Sequence, residues 1–354
     1  QRGRATVKLT TIPPSTMAAR RVSETTARPD VSYVECAQLP LTLAESTAYP
    51  MAIVTFGQTL SSTFPCPVIA LDLPQIDGPP MAEVWTSDRL ITLHTDPACS
   101  IAMNGNVLIG SMSLEEGADR SMDAAAYEAY KAILHRLHTL GYPYLWRIWN
   151  YFPRINDDQN GLERYRRFCL GRHHALTKTL ADFPSSLPAA TAVGTKSGPL
   201  QIMFLAGTQP ATHLSNPRQL NAYDYPQDYG PRSPSFARAT LTQSEEECRL
   251  YLSGTASVVG HASRHAGLPR AQTEETIRNI QAVFEQAQHA AGFNLIGTQR
   301  QALYKVYVRD SASLSEIQEA IMHSPLAHEH VLFLQSDLCR KELLVEIEGL
   351  IISG

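Results

Sequence analysis

The stretch that decides the fold is TEETIRNIQAVFEQAQHAAG, which spans Thr273–Gly292. Its apolar residues repeat at the three- and four-residue spacing of one helix face, and they are Ile277, Ile280, Val283, Phe284 and Ala287. The pattern predicts a helix from Thr273 to about Ala290, which Gly292 ends. Strand-type runs lie on both sides of this helix, at Arg249–Val259, Ala302–Arg309, Val331–Leu334 and Leu343–Ile352. Between the second and third of these strands, the capping box Ser313–Glu316 opens a shorter helix.

The same order of elements occurs earlier in the chain, beginning near residue 82 with the strand Ala82–Thr86. The predicted elements that follow are a helix at Met122–Leu140, an aromatic strand at Tyr144–Tyr151, a helix at Leu162–Lys178, and strands at Ala190–Gly194 and Leu200–Ala206. Strands interleaved with helices predict an α+β fold. We expect two mixed-sheet units in one chain, with the helices packed on one face of each sheet.

The expected division of the chain has three parts. Residues 1–30 hold six basic and two acidic residues without an apolar period, which predicts a disordered basic tail and no signal peptide. An N-terminal unit with added strands is expected at 31–215. A C-terminal unit that includes the loop 221–238 is expected at 216–354. The cleft between the two units is the natural place for a ligand.

Composition excludes several classes of protein. The chain has 354 residues, of which 44% are apolar and 18% charged, as in ordinary globular proteins. The net charge of −4 argues against nucleic-acid binding, and no apolar stretch approaches the roughly 20 residues of a membrane span. The six cysteines form no CxxC motif. No further metal ligands complete the three histidine groupings, which are His173/His174, His261/His265 and His328/His330. We expect a cytoplasmic protein without a metal, either a monomer with internal pseudosymmetry or an oligomer.

Two regions hold candidate ligand-binding residues. Arginines and aromatic residues alternate between 147 and 172, and Arg147 lies inside an apolar strand, where a buried anion-binding role and a structural role are both open. Arg164 lies on the following helix, whereas Arg166 is expected on its solvated face. The loop 221–238, NAYDYPQDYGPRSPSFAR, presents Tyr223 and Arg238 and is either functional or a strap between units.

The segment Asp337–Gly349, DLCRKELLVEIEG, holds the candidate catalytic residues. Glu346 and Glu348 are two residues apart in a predicted strand, so that both point to the same face. A poorly solvated carboxylate there has a raised pKa and can act as a general acid. The alternative is an edge strand with both carboxylates in water. Cys339 precedes Glu346 by seven residues.

The C-terminal unit resembles the RidA (YjgF) family. The resemblance covers about 249–351, and it rests on LYLSGTASVVG, TEETIRNIQAVFEQAQHAAG, LYKVYVRD and LLVEIEG in the usual order. Glu346 falls where that family has its catalytic glutamate.

From about residue 80 to its end, the chain is more specifically similar to the chorismatase family. The similar blocks are WNYFPRIN (Trp149–Asn156), GLERYRRFCLGR (Gly161–Arg172), AYDYPQDYGPRSPSFARA (Ala222–Ala239), SGTASVVGH (Ser253–His261) and CRKELLVEIEG (Cys339–Gly349). The resemblance implies that chorismate is the substrate, that its enolpyruvyl group leaves as pyruvate, and that no cofactor is needed. Some members have been labelled pteridine-dependent, for which this sequence gives no reason.

The resemblance also assigns roles to residues. It implies Glu346 as general acid, Cys339 as the mark of members that release hydroxybenzoate, and Gly254 and Ala256 as residues that shape the pocket. As a soft thiolate nucleophile beside the ring, Cys339 would divert the reaction towards an aromatic product. The alternative is that Cys339 is a small buried packing residue. The expected products are pyruvate and 3-hydroxybenzoate, with or without 4-hydroxybenzoate. The alternatives are a hydrolase that stops at a dihydroxycyclohexadiene carboxylate and a non-catalytic RidA-like metabolite-binding protein. The residues predicted to hold the substrate are Arg147, Arg164, Tyr223, Arg238, Arg309 and Ala256.

Overall fold

The computed structural model describes residues 8–11, 28–117, 120–245, 247–292 and 300–353. Its strands up to residue 207 are β1 (Lys8–Thr11), β2 (Asp30–Glu35), β3 (Tyr49–Phe56), β4 (Val68–Leu71), β5 (Met81–Ser87), β6 (Thr92–Asp96), β7 (Cys99–Met103), β8 (Val107–Leu114), β9 (Tyr144–Pro153), β10 (Asp158–Gln159), β11 (Leu162–Glu163), β12 (Ala189–Thr195) and β13 (Leu200–Gly207). The later strands are β14 (Thr212–Leu214), β15 (Ala239–Gln243), β16 (Cys248–Ala256), β17 (Val258–Val259), β18 (Ala262–Ser263), β19 (Arg300–Val308), β20 (His330–Gln335) and β21 (Val345–Ser353). The α-helices are α1 (Leu39–Glu45), α2 (Met122–Leu140), α3 (Arg164–Thr179), α4 (Pro269–Ala291) and α5 (Leu314–Met322).

Two large sheets repeat one topology. The first has the strand order β1-β6-β7-β8-β13-β9-β12, and the second has the order β14-β15-β16-β21-β19-β20. Without β1, the two orders correspond strand by strand. In each sheet the last strand of the repeat, β13 or β21, lies antiparallel between two neighbours, and the outermost pair, β9 with β12 or β19 with β20, is parallel. The predicted α+β fold with two mixed-sheet units is therefore confirmed.

The helices cover the outer face of each sheet. Along β9, Ile148 and Phe152 pack with α2 and α3, whereas Trp149 and Tyr151 point into a core shared by both sheets. This alternation follows from the two-residue period of a strand. Helices α4 and α5 cover the second sheet in the same way. The inner faces thus meet, and buried residues of an added four-stranded sheet, β2-β5-β3-β4, belong to the same core.

The predicted helices are close to those observed. Helix α2 has the predicted bounds, and Gly141 caps it in the left-handed conformation at φ 83°. Helix α4 begins four residues before the predicted Thr273, because Pro269 occupies its first turn, where a missing N–H costs nothing. No helix of the described residues is long and apolar enough to cross a membrane.

Three expectations about the repeat and the tail need correction. The predicted first strand of the N-terminal copy is β5, which pairs with β2 and β3, and β6 takes the repeat position instead. Strand β14 lies before the expected boundary at 215 but pairs with β15 of the second sheet. Within the expected tail, β1 pairs with β6, and Arg28 donates a hydrogen bond to the carbonyl oxygen of Thr242. Residues 1–7 and 12–27 lie outside the described residues.

Candidate active site

A cavity of about 320 Å³ opens beside the C-terminal sheet. Strand β16, strand β21, the loop 221–238, the start of α3 and the segment 339–343 all contribute to its walls. The residues that matter most for its chemistry are Tyr225, Tyr229, Phe236, Arg238, Cys339, Arg340 and Glu346. The loop 221–238 therefore forms one wall of the cavity.

The carboxyl group of Glu346 lies at the inner wall of this cavity. Strand β21 is a central strand between β16 and β19, and Glu346 and Glu348 are only 4% and 2% exposed. The alternative with both carboxylates in water on an edge strand is wrong. A Cβ atom on Gly254 would lie 2.0 Å from Glu346 Oε1, so the absence of a side chain at Gly254 makes room for the acid.

The pKa values of Glu346 and Glu348 are shifted in opposite directions, so that the two carboxyl groups differ in charge at neutral pH. Burial, followed by repulsion from Glu348, raises the pKa of Glu346 to about 8. Burial alone would also raise the pKa of Glu348, but Lys305, Arg147 and a hydrogen bond from Thr191 hold it below its ordinary value. Glu346 is thus a neutral acid next to an ionised carboxylate. Two carboxyl groups whose pKa values are pushed apart mark an acid–base site.

Cys339 lies beside this acid, with its Sγ 3.9 Å from Glu346 Oε2. Burial, together with the negative charge that Glu346 can carry, raises the pKa of the Cys339 thiol well above its ordinary value. The side chain is therefore a neutral thiol at physiological pH. Ala256 lines the same cavity and is 7% exposed.

Arg238 is the one predicted substrate-binding arginine that lines the cavity. Its Nη2 donates to the hydroxyl of Tyr225 at 2.8 Å and to the carbonyl oxygen of Leu220 at 2.7 Å. Its Nε has no hydrogen-bond partner among the described residues, although the side chain is buried. The guanidinium group lies at the cavity wall, and such a group is suited to a carboxylate ligand.

The other four predicted binding residues lie outside the cavity lining. Arg164 pairs with both carboxylate oxygens of Glu116, and Arg147 is buried against Glu348 behind the site. Arg309 donates to the carbonyl oxygens of Leu338, Arg340 and Leu343 and so fixes the segment that carries Cys339. Tyr223 lines a separate cavity on the other side of its loop.

Sequence reasoning missed Arg340 as a candidate for the site. Its guanidinium lies 4.2 Å from the ring centroid of Tyr229 and donates to the carbonyl oxygen of His261. Its position directly after Cys339, in the same quoted segment, was an available signal. Arg166, expected on a solvated face, also lines the cavity, together with Tyr165. Helical periodicity could not find it, because the loop 221–238 covers that part of α3.

Comparisons with known proteins agree with this fold. Residues 83–206 match the family model described as "Chorismatase FkbO/Hyg5-like, N-terminal". A chorismatase of Streptomyces rapamycinicus is 34% identical over 81% of this chain and 86% of its own length. A 3-hydroxybenzoate synthase of Streptomyces hygroscopicus is 33% identical over 80% of this chain and 85% of its own. A chorismatase crystal structure has a TM-score of 0.83 at 30% identity and covers 93% of this chain and all of that one.

The structure thus combines a duplicated α+β fold with a buried carboxyl group at a cavity between aromatic and cationic side chains. The chain belongs to the chorismatase family and is an enzyme of that type.

Proposed function

We propose that this protein cleaves chorismate to pyruvate and 3-hydroxybenzoate, with Glu346 as the general acid. The observation that carries the proposal is the neutral carboxyl of Glu346 at the cavity wall, with its pKa near 8. Relatives named chorismatase and 3-hydroxybenzoate synthase, at 33–34% identity, support the same substrate and product.

The cavity suits the size and charge of chorismate. This substrate is one small ring with two carboxylates, and tyrosine, phenylalanine and arginine side chains surround the space. We infer that the guanidinium of Arg238 binds one carboxylate, and that Arg340, which also lines the cavity, is placed for the other. Ala256 leaves room for the ring. Arg147 and Arg309 act from behind the cavity, since they hold Glu348 and the Cys339 segment.

The proposed first step is transfer of the Glu346 proton to the methylene carbon of the enolpyruvyl group. The electron pair of the carbon–carbon double bond forms the new C–H bond, and the ether oxygen stabilises the resulting oxocarbenium ion. Attack of the neighbouring ring hydroxyl on that ion gives a cyclic ketal and releases the hydroxyl proton, which returns to Glu346. Loss of a ring C–H proton, with cleavage of the bond between the ring and the attacking oxygen, then makes the ring aromatic, and that oxygen takes up the proton. The resulting hemiketal separates into pyruvate and 3-hydroxybenzoate, so that this route neither consumes nor releases water. Attack of water on the ion instead gives pyruvate and the dihydroxycyclohexadiene carboxylate.

Cys339 is placed to influence which product forms. As a neutral thiol beside Glu346, it does not act as a free thiolate nucleophile. It presents a soft, weakly polar surface next to the ring instead of a water-binding one. We infer that this surface disfavours water beside the cation and thus favours the aromatic product over the dihydroxycyclohexadiene carboxylate.

The test is to incubate the purified protein with chorismate, without added metal, pterin or nucleotide, and to separate the products by chromatography. We expect pyruvate and 3-hydroxybenzoate in equal amounts, and the same activity after dialysis against a strong chelator. Glu346→Gln keeps the size of the side chain and removes the acid, so turnover should fall at least ~10²-fold while chorismate still binds. Near wild-type turnover in this variant, or loss of activity on chelation, would contradict the mechanism.

A further inference from the structure

Four charged side chains form a buried chain behind Glu346. Lys305 Nζ lies 2.8 Å from Glu83 Oε2 and 3.0 Å from Glu348 Oε1, and Arg147 Nη2 lies 2.7 Å from Glu348 Oε2. The four residues come from β5, β19, β21 and β9, so the chain of charges connects all three main sheets. Each residue is at most 5% exposed.

Acidic and basic side chains alternate along this chain. Two carboxylates and two cations have no net charge together, whereas removal of one member leaves a buried charge without compensation. Glu348 has further donors, since Thr191 donates to its Oε2 and Trp149 Nε1 donates to its Oε1 at 3.0 Å. Its two oxygens are therefore fully occupied, and it carries its charge permanently near the cavity without lining it.

Glu346 stands in contrast to this well-compensated neighbour. It is two residues from Glu348 on the same face of β21, and the carboxyl group of Glu346 lies against Gly254, whose N–H donates to Thr191 Oγ1 at 3.0 Å. The titratable groups that act on Glu346 are Glu348, Arg147, Cys339 and Arg309, with Tyr307 opposite it on β19. The titratable groups that act on Glu348 itself are Lys305 and Arg147. The titratable groups beside it are Glu83, Tyr33, Tyr151 and Tyr307. Arg147 and Lys305, the cations nearest to the two glutamates, already pair with Glu348. A negative charge on Glu346 would therefore be uncompensated.

We propose that Glu348 is a positioning residue that keeps the catalytic proton on Glu346, and that Glu83 of the added four-stranded sheet supports it through Lys305. This inference rests on the proposed role of Glu346 as general acid. The inference assigns a role to the four-stranded sheet β2-β5-β3-β4, which lies outside the duplicated units. Strand β5 of this sheet supplies Glu83, whose charge balances that of Lys305, so that the cation can be buried beside Glu348.

The decisive variant is Glu348→Gln, compared with wild type by the pH profile of kcat/KM for pyruvate release. This variant removes the repelling charge and leaves Arg147 without its partner, and both changes favour ionisation of Glu346. The basic limb should move from about pH 8 to lower pH by about one to three units. Activity at pH 5 should stay within about tenfold of wild type. Glu348→Asp, which keeps the charge, should hold the limb near its wild-type position.

A matched control is Glu275→Gln on α4. Glu275 is also a buried carboxylate paired with two cations, Arg218 and Arg278, but it lies outside the cavity lining. Its loss should lower the melting temperature and leave the pH profile unchanged. An unshifted limb in Glu348→Gln, or a limb shifted equally in Glu275→Gln, would overturn the proposal.

A substrate-free measurement covers the case in which Glu348→Gln does not fold. Infrared difference spectra of the wild type between pH 5 and 9 should show one buried carboxyl group that loses its proton near pH 8, and Glu346→Gln should abolish that signal. A signal that survives in Glu346→Gln would place the proton on another carboxyl group and overturn the inference. Because this assay uses no chorismate, its result is independent of whether the proposed reaction is correct.

Discussion

Gly254→Ala tests the geometry of the acid with the smallest possible change. The new Cβ atom would lie 2.0 Å from Glu346 Oε1 and 3.2 Å from Thr191 Oγ1. An ordinary contact needs about 3.4 Å, so the carboxyl group must retreat by about 1.4 Å. It cannot retreat easily, because Cys339 and the buried charges around Glu348 lie close to it.

The expected cost is mainly catalytic. A displacement of about 1 Å between reacting groups can cost ~10²-fold in rate, so kcat for pyruvate release should fall by about that factor. Overpacking of a filled core typically destabilises a protein by about 1–3 kcal/mol, so the variant should fold with a lower melting temperature. The KM for chorismate should change less than kcat, because Arg238 and the aromatic walls are untouched.

Pyruvate release can be followed by coupling it to lactate dehydrogenase at saturating chorismate. Gly117→Ala is the matched control, since a Cβ atom there would meet nothing within 4 Å. It should keep wild-type kcat and melting temperature. If Gly254→Ala retains wild-type kcat, the carboxyl group of Glu346 has room that the structure denies, and the assignment of its catalytic position is refuted.

Three further predictions follow from the site. Pyruvate release should decline above about pH 8, because Glu346 then loses the proton that it must donate; a profile that is flat to pH 10 would contradict this. Cys339→Ala should shift the products away from 3-hydroxybenzoate, towards the dihydroxy acid or 4-hydroxybenzoate, while pyruvate release continues; an unchanged product ratio by chromatography would make Cys339 a packing residue. Arg238→Met should lower kcat/KM about 10²-fold, whereas Arg164→Met should lower the melting temperature and leave KM unchanged, because Arg164 pairs with Glu116 outside the cavity.

Helices and strands with a clear apolar period could be predicted from the sequence, whereas the strands with which they pair could not. Helix α2 has its predicted bounds because its apolar stripe and Gly141 define both face and end. Strand β6, TLHTD, was missed because it is polar and only half buried, so it has no apolar pattern. Strand β5 was found but assigned to the wrong sheet, since pairing depends on contacts that are distant in sequence.

The same distinction, between a local pattern and a partner that is distant in sequence, explains which residues of the candidate site could be predicted. Glu346, Cys339 and Ala256 are brought to one cavity because they lie in or beside adjacent strands of one unit. Arg147 and Arg309 were recognised as arginines that hold an anion, but their anions are Glu348 and the Asp337 side chain within the chain itself. A sequence shows that a buried arginine needs a partner, and it does not show whether the partner is a ligand or the protein.

The candidate general acid, Glu346, lies in the second copy of the duplicated fold. A comparison of the two copies explains why. Strand β13 occupies the position in the first sheet that β21 has in the second, and its residues in the shared core, Met203 and Leu205, are apolar, whereas β21 carries Glu346 and Glu348. The first copy instead supplies Arg147 and Thr191, which hold Glu348 across the interface between the sheets. One copy thus carries the carboxylates and Lys305, and the other adds Arg147 and Thr191, which also hold the charge of Glu348. Neither copy alone could keep an ionised and a neutral carboxyl group two residues apart, because the buried charge of Glu348 needs the cation and hydroxyl that the other copy provides.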